Sequence, residues 1–257
     1  MQQLRAWYDG PLASFDTETT GVDVESDRIV SAALVLQSAP GAEPRAATWL
    51  ADPGVPIPEQ ARAVHGISNE RVRSHGRPAR TVVAEVARAL AEQARAGVPV
   101  VVMNAPYDLT LLDRELRRHR AGSLAESLAG AELLVLDPRV LDKYVDRYRR
   151  GRRTLTDLCL HYGVRLEGAH DAAADATAAM DLVRAIGARY TERLGTLTPA
   201  ELQLRQTVWH AAQAQGLQRW FDRSGTPERV DLSWPLRPAR CGCGERLEPG
   251  HRCELAA

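Results

Sequence analysis

LASFDTETTG, residues 12–21, decides how the rest of the chain is read. An apolar approach ends in two carboxylates, Asp16 and Glu18, placed two residues apart. Side chains of an extended strand alternate between its faces, so both carboxylates point the same way. Neighbouring carboxylates repel unless a cation lies between them. Hard oxygen ligands of this kind favour Mg²⁺ or Mn²⁺. Gly21 allows the chain to turn sharply after the pair. The plainer alternative is a polar strand end running into a turn.

Outward from this stretch the chain reads as mixed α/β. Further strands are expected at residues 28–37 (RIVSAALVLQ) and 46–51, so three early strands form an antiparallel meander. Helices are expected at residues 59–64 and 81–96; in the second, Val82, Val83, Val86 and Leu90 recur with helical period. VPVVVMN (98–104) and ELLVLD (132–137) are short apolar runs of the kind buried on both faces of a sheet. Helices should follow each, near 107–118 and 140–148. Another spans 154–162, with Thr154 as cap and Gly163 as stop, and a long Ala-rich one spans 172–191. Thr198 and Pro199 open one or two further helices. From Thr226 the chain is rich in Pro, Arg and Gly and lacks periodicity.

Two more acidic positions stand where helices begin. Asp108, in NAPYD, follows the 98–104 strand and falls on the first turn of the next helix. There it faces the strand ends, where open α/β sheets gather ligands. Asp175, in HDAAADA, lies early in the Ala-rich helix, and His170 lies in the loop before it. Each alone has a plain structural role, as a charge favoured by a helix N-terminus or a loop residue bridging to one.

Taken together, FDTETTG, NAPYD and HDAAAD resemble, in order and context, the three motifs of the DEDD exonucleases. This is the proofreading-subunit type with a ribonuclease H-like fold, and the resemblance covers about residues 10–190. His170 lies five residues before Asp175, as in the branch that uses His; Asp171 occupies the place a Tyr would take in the other branch. The resemblance implies a mixed five-stranded sheet flanked by helices, with the last two strands parallel to the first. It also implies that Asp16, Glu18, Asp108 and Asp175 hold two Mg²⁺ or Mn²⁺ ions and that His170 is the general base. The activity implied is release of nucleoside monophosphates from the 3′ end of a strand, with DNA preferred to RNA, and a DNA polymerase or repair complex as partner. An exoribonuclease on short RNA is the alternative within the class. A silent nucleic-acid-binding module is the alternative outside it, but its usual mark, a missing carboxylate or His, is not found.

By the same resemblance AVHGIS (63–68) lies beside the terminal nucleotide, so Thr17, Thr19, His65 and Asn104 are candidate substrate contacts. RYRRGRR (147–153) holds five arginines in seven residues. Guanidinium forks suit phosphate oxygens, which makes Arg150 and Arg152 candidates, although a charge run is commonly a solvated loop. Asp137 reads as a helix cap rather than a further ligand, and Cys159 as a core residue. Trp209, Trp220, Phe221 and Trp234 read as anchors for an appended helix rather than base-stacking platforms.

These features divide the chain into an exonuclease domain (1–195), a helical extension (196–225) and an irregular tail (226–257). In the tail, Cys241, Cys243, His251 and Cys253 offer the ligand types of a structural Zn²⁺ site, although C-x-C is tighter than usual zinc spacing. Thirty-three basic and 33 acidic residues give no net charge, so attraction to a nucleic acid must be local or carried by metal. No apolar run is long enough for a membrane helix and no signal core opens the chain, so a cytoplasmic location without membrane contact is expected. No sequence feature specifies an oligomeric state.

Overall fold

The computed structural model describes residues 6–239. The candidate zinc ligands Cys241, Cys243, His251 and Cys253 lie outside the described residues. After a 3-10 turn at Trp7–Asp9 come β1 (Leu12–Thr19), β2 (Ile29–Gln37) and β3 (Arg45–Asp52). Helices α1 (Glu59–His65) and α2 (Asn69–His75) lead to β4 (Arg77–Pro78) and α3 (Ala79–Arg95). Then follow β5 (Val100–Val101), α4 (Ala105–Arg118), α5 (Leu124–Leu128), β6 (Val135–Leu136) and α6 (Pro138–Val145). The last elements are α7 (Leu155–Tyr162), α8 (Ala172–Arg189), α9 (Thr191–Leu194) and α10 (Pro199–Ser224).

The sheet order is β4-β3-β2-β1-β5-β6. β1, β2 and β3 pair antiparallel, while β5 pairs parallel to β1 and β6 parallel to β5. The sheet thus has six strands, not the five expected: β4 adds two residues beside β3. It sits in a Pro-containing turn between helices, with no apolar run to announce it. The strands near 98–104 and 132–137 are shorter than their apolar runs. Pro99 has no N–H to donate, although its carbonyl still accepts from Ala13 at 2.9 Å. On the outer side of β6, side chains of α10 stand where a further strand would pair. Gln203 Oε1 accepts from the Val135 N–H at 2.5 Å, and Gln206 accepts from Asp137 and donates to the Val135 carbonyl. This covers the edge strand with a helix.

Two packed layers follow from the alternation of β1. Ala13 and Phe15 face the cluster built with α3 and α4, whereas Leu12 faces the cluster built with α6 and α8. Burying a side chain such as Phe15, 1% exposed, contributes about 2–3 kcal/mol. The helix signals named above act as expected. Thr154 accepts from the Asp157 N–H, Gly163 closes α7 at φ 69°, and Thr198 caps a single α10. The short α2 and α5 are additions; Ser123 and Glu126 form a capping box that a sequence reader could have found. Trp209 stacks on Tyr144 and Trp234 is buried, both as anchors; Trp220, 54% exposed, anchors nothing in this way. Among the described residues no helix is long and apolar enough to cross a membrane.

Candidate active site

The alternation that builds the core also sorts the site. Asp16 and Glu18 point to the α8 side of β1, where Asp175 stands on the first turn of its helix. One carboxylate oxygen from each of Asp16, Glu18 and Asp175 lies within 4.8 Å of the others. Thr17 and Thr19 point to the opposite side, towards α4. Thr17 Oγ1 donates to Asp108 Oδ1 at 2.6 Å, and Thr19 Oγ1 lies 2.7 Å from the Tyr107 hydroxyl. Asp108 therefore stands outside the tight trio, although its charge is felt by Asp16 and Glu18.

The chain bends on both sides of Gly21, as expected, and the glycine also serves a close approach. A Cβ there would come within 2.5 Å of the Asp27 carboxylate, and its backbone has no positive φ. Its carbonyl accepts from both Thr19 and Tyr107, which fixes the chain as it leaves Glu18. Tyr107 was not singled out from the sequence; its only signal is the place beside Asp108. His170 lies on an exposed turn at φ 70°, a conformation unusual for a non-glycine residue. Its backbone N–H donates to Asp175 Oδ2 at 3.2 Å. Asp171 caps α8 through the N–H groups of Ala173 and Ala174 at 3.1 Å.

The other candidates divide. His65 Nδ1 accepts from the Ile67 N–H at 3.0 Å, which places the ring proton on the buried Nε2, and the Thr19 backbone also acts on the ring. Burial lowers the His65 pKa, which favours the neutral ring. The Asn104 side chain turns to Arg139, accepting at 2.9 Å, so no contact with the acidic trio is seen. Arg149 and Arg153 are drawn to the buried Asp142, whereas Arg150 and Arg152 are exposed and form no salt bridge among the described residues. Asp137 caps α6, as expected.

The donor set fits divalent cations. Among the described residues no salt bridge reaches Asp16, Glu18 or Asp175, and Asp175 Oδ1 is buried without a hydrogen-bond partner. A buried, unpartnered carboxylate oxygen among like charges is costly until a cation binds it. Burial and then the neighbouring carboxylates push Asp16 well above its ordinary range and raise Glu18 to about 8. Burial raises Asp108 to about 7 against the opposing Thr17 hydrogen bond, and it raises Asp175 as well.

These shifts predict how stability depends on pH. In EDTA, the folded protein holds protons on Glu18 and Asp108 up to about pH 8 and 7, while the unfolded chain releases them near 4.5 and 3.8. Folding then takes up protons, so stability is fullest below the unfolded values and is lost as pH rises to about 8. A decline of a few kcal/mol is expected across that window. Thermal melts in EDTA should fall in Tm from about pH 5 to about pH 8.5, and Mg²⁺ or Mn²⁺ should flatten the fall. A Tm that climbs with pH in EDTA would contradict this electrostatic picture.

Residues 14–183 match the family model described as Exonuclease (RNase_T), which is most of the chain. The chain belongs to the exonuclease family. The exonuclease chain is 27% identical over 183 residues to DNA polymerase III subunit epsilon of Treponema pallidum (strain Nichols), covering 71% of this chain and 79% of that protein. Its fold resembles E. coli exonuclease I in complex with a dT13 oligonucleotide, with TM-score 0.56, 18% identity, and coverage of 71% of this chain and 42% of that one. Exonuclease I from Methylocaldum szegediense is similar at TM-score 0.56 and 21% identity, covering 82% of this chain and 46% of that one. The exonuclease chain spans less than half the length of these solved relatives, and at such identities the likeness establishes fold. It is the mixed α/β fold of those exonucleases.

Proposed function

We propose that this exonuclease is a 3′–5′ enzyme of the DEDD type, His branch, releasing nucleoside monophosphates from the 3′ end of a single DNA strand. The observation that carries the proposal is the convergence of Asp16, Glu18 and Asp175 within 4.8 Å, with His170 on the turn immediately before α8. Asp16, Glu18 and Asp175 would hold two Mg²⁺ or Mn²⁺ ions, with Asp108 completing the set beside Asp16. Such ions supply a more acidic water and charge stabilisation for the departing 3′ oxygen. The His170 imidazole accepts the proton of the attacking water. The His65 Nε2–H and the backbone at Thr17 and Glu18 meet the terminal nucleotide, with Thr19 holding the strand end in place. Asn104 acts through Arg139 rather than directly. Arg150 and Arg152 offer their guanidinium groups to phosphates further along the strand. DNA is favoured because the similar solved proteins include one bound to a DNA oligonucleotide, and a polymerase is the proposed partner because the similar curated protein is a polymerase subunit.

The test is degradation of single-stranded DNA, duplex DNA and short RNA, each labelled at one end, with Mg²⁺ or Mn²⁺. A 5′-labelled single DNA strand should yield a descending ladder, and a 3′-labelled one should release labelled mononucleotide at once. Shortening from the 5′ end, or none on any substrate, would rule out the assignment; faster loss of RNA would move the substrate to the other sugar.

A further inference from the structure

α4 begins without a cap of its own. Its cap residue, Asn104, lies at φ 61° and makes no side-chain bond to the helix. The cap comes instead from Asp137, at the end of β6. Its carboxylate accepts from the N–H of Asn104 at 3.2 Å and of Ala105 at 3.0 Å. It also accepts from the Arg139 N–H at 2.9 Å, so one carboxylate opens both α4 and α6. Asp137 is 1% exposed; besides the Val140 N–H at 3.4 Å, a further partner comes from beyond the family match, where Trp234 Nε1 reaches Oδ2 at 3.4 Å. The segment around Trp234 also grips α4 directly. The Arg237 N–H donates to Thr110 Oγ1 at 3.0 Å, and Arg114 donates to the Pro238 carbonyl at 2.9 Å. Asp108 sits on the first turn of the helix so held.

We propose that Asp137, backed by the strap of residues 234–238, is a positioning residue that holds the first turn of α4 and so keeps Asp108 in its place against Thr17, where its charge reaches Asp16. The proposal rests on the exonuclease reading and adds that the C-terminal segment belongs to the working site rather than to a separate tail. The Ala105 N–H that opens α4 has its acceptor in Asp137, a carboxylate fixed between α6 and the strap. When the acceptor weakens, the first turn of α4 shifts, and misplacement by about 1 Å of a group serving the reaction can cost about 10²-fold. Groups that orient metal ligands from behind commonly change affinity or activity about 10–100-fold when altered.

The experiment compares Asp137→Asn, Trp234→Phe and Asp16→Ala full-length proteins. It measures Mn²⁺ binding by calorimetry, kcat and KM on a single DNA strand, and thermal unfolding. Asp137→Asn should bind Mn²⁺ about tenfold more weakly and lose about 10–100-fold in kcat, with KM for the strand unchanged. Trp234→Phe keeps an aromatic ring in the core and removes the indole donor with part of the ring volume, so it serves even if the first variant folds poorly; it should shift the same two quantities about threefold. Asp16→Ala should lose Mn²⁺ binding. If it does, and the other two bind and turn over like the parent while only their Tm falls, the positioning role is overturned and the exonuclease reading stands. If none of the three changes Mn²⁺ binding, both are overturned.

Discussion

The Asp16→Ala protein is expected to lose about 10³-fold or more in kcat/KM for strand shortening in Mg²⁺ or Mn²⁺, with correct folding. The size follows from where Asp16 stands. It shares the α8 side of β1 with Glu18, and one of its oxygens lies within 4.8 Å of both Glu18 and Asp175. Asp16 is one of the two trio carboxylates that also feel the charge of Asp108, the other being Glu18. Removing a single preorganised electrostatic group from a hydrolytic site costs about 10²–10³-fold, and removing a ligand common to the whole cluster should exceed that. A second measurement separates this from damage to the fold. In EDTA near pH 8 the variant should melt above the parent, because the deletion relieves both the desolvation and the repulsion that raise Asp16 and its neighbours. In Mg²⁺ the order should reverse. Retained strand shortening, whatever the melting order, would remove Asp16 from the chemistry.

That site was legible in part because the two periodicities of protein structure are written in it. Asp16 and Glu18 sit two apart, which puts them on one face of β1, and Asp108 and Asp175 sit just past helix starts. What spacing did not reveal is that β1 divides its polar residues between two helices. Thr17 and Thr19 serve α4, through Asp108 and Tyr107, while Asp16 and Glu18 serve α8. A trio plus a buried outlier results, rather than four equivalent carboxylates. The meander and the parallel strands were equally legible, whereas β4 was not, since two residues beside β3 leave no pattern. The most distant relations were invisible for the same reason. Asp137 reads locally as a cap for α6, and nothing near it foretells that its other hydrogen bonds run to Asn104 and Trp234, 33 and 97 residues away. Gln203 and Gln206 likewise look like surface residues of a helix until β6 is seen to need an edge partner.

Replacing His170 is the other large effect, and the choice of replacement matters because of its backbone. The residue sits at φ 70°, where asparagine is better tolerated than alanine. Its N–H donates to Asp175 Oδ2, so the turn helps to place that carboxylate whatever side chain is present. His170→Asn therefore removes the imidazole and leaves the turn, while His170→Ala removes the imidazole and strains the turn as well. If the imidazole takes the proton of the attacking water, both variants should lose about 10²–10⁴-fold in kcat, the range typical of a general base. Mn²⁺ affinity and KM for a DNA strand should stay near the parent in His170→Asn, because the hydrogen bond to the trio comes from the His170 main chain and the ring acts on Asp175 through charge alone. His170→Ala should add a smaller loss in Mn²⁺ affinity through Asp175. Equal kcat in His170→Asn and the parent would take the base out of the scheme, and a fall confined to His170→Ala would assign His170 to the turn alone. The exposed ring suits the role: it reaches solvent, from which the attacking water comes, and the main-chain bond beside it keeps it at the edge of the carboxylate cluster.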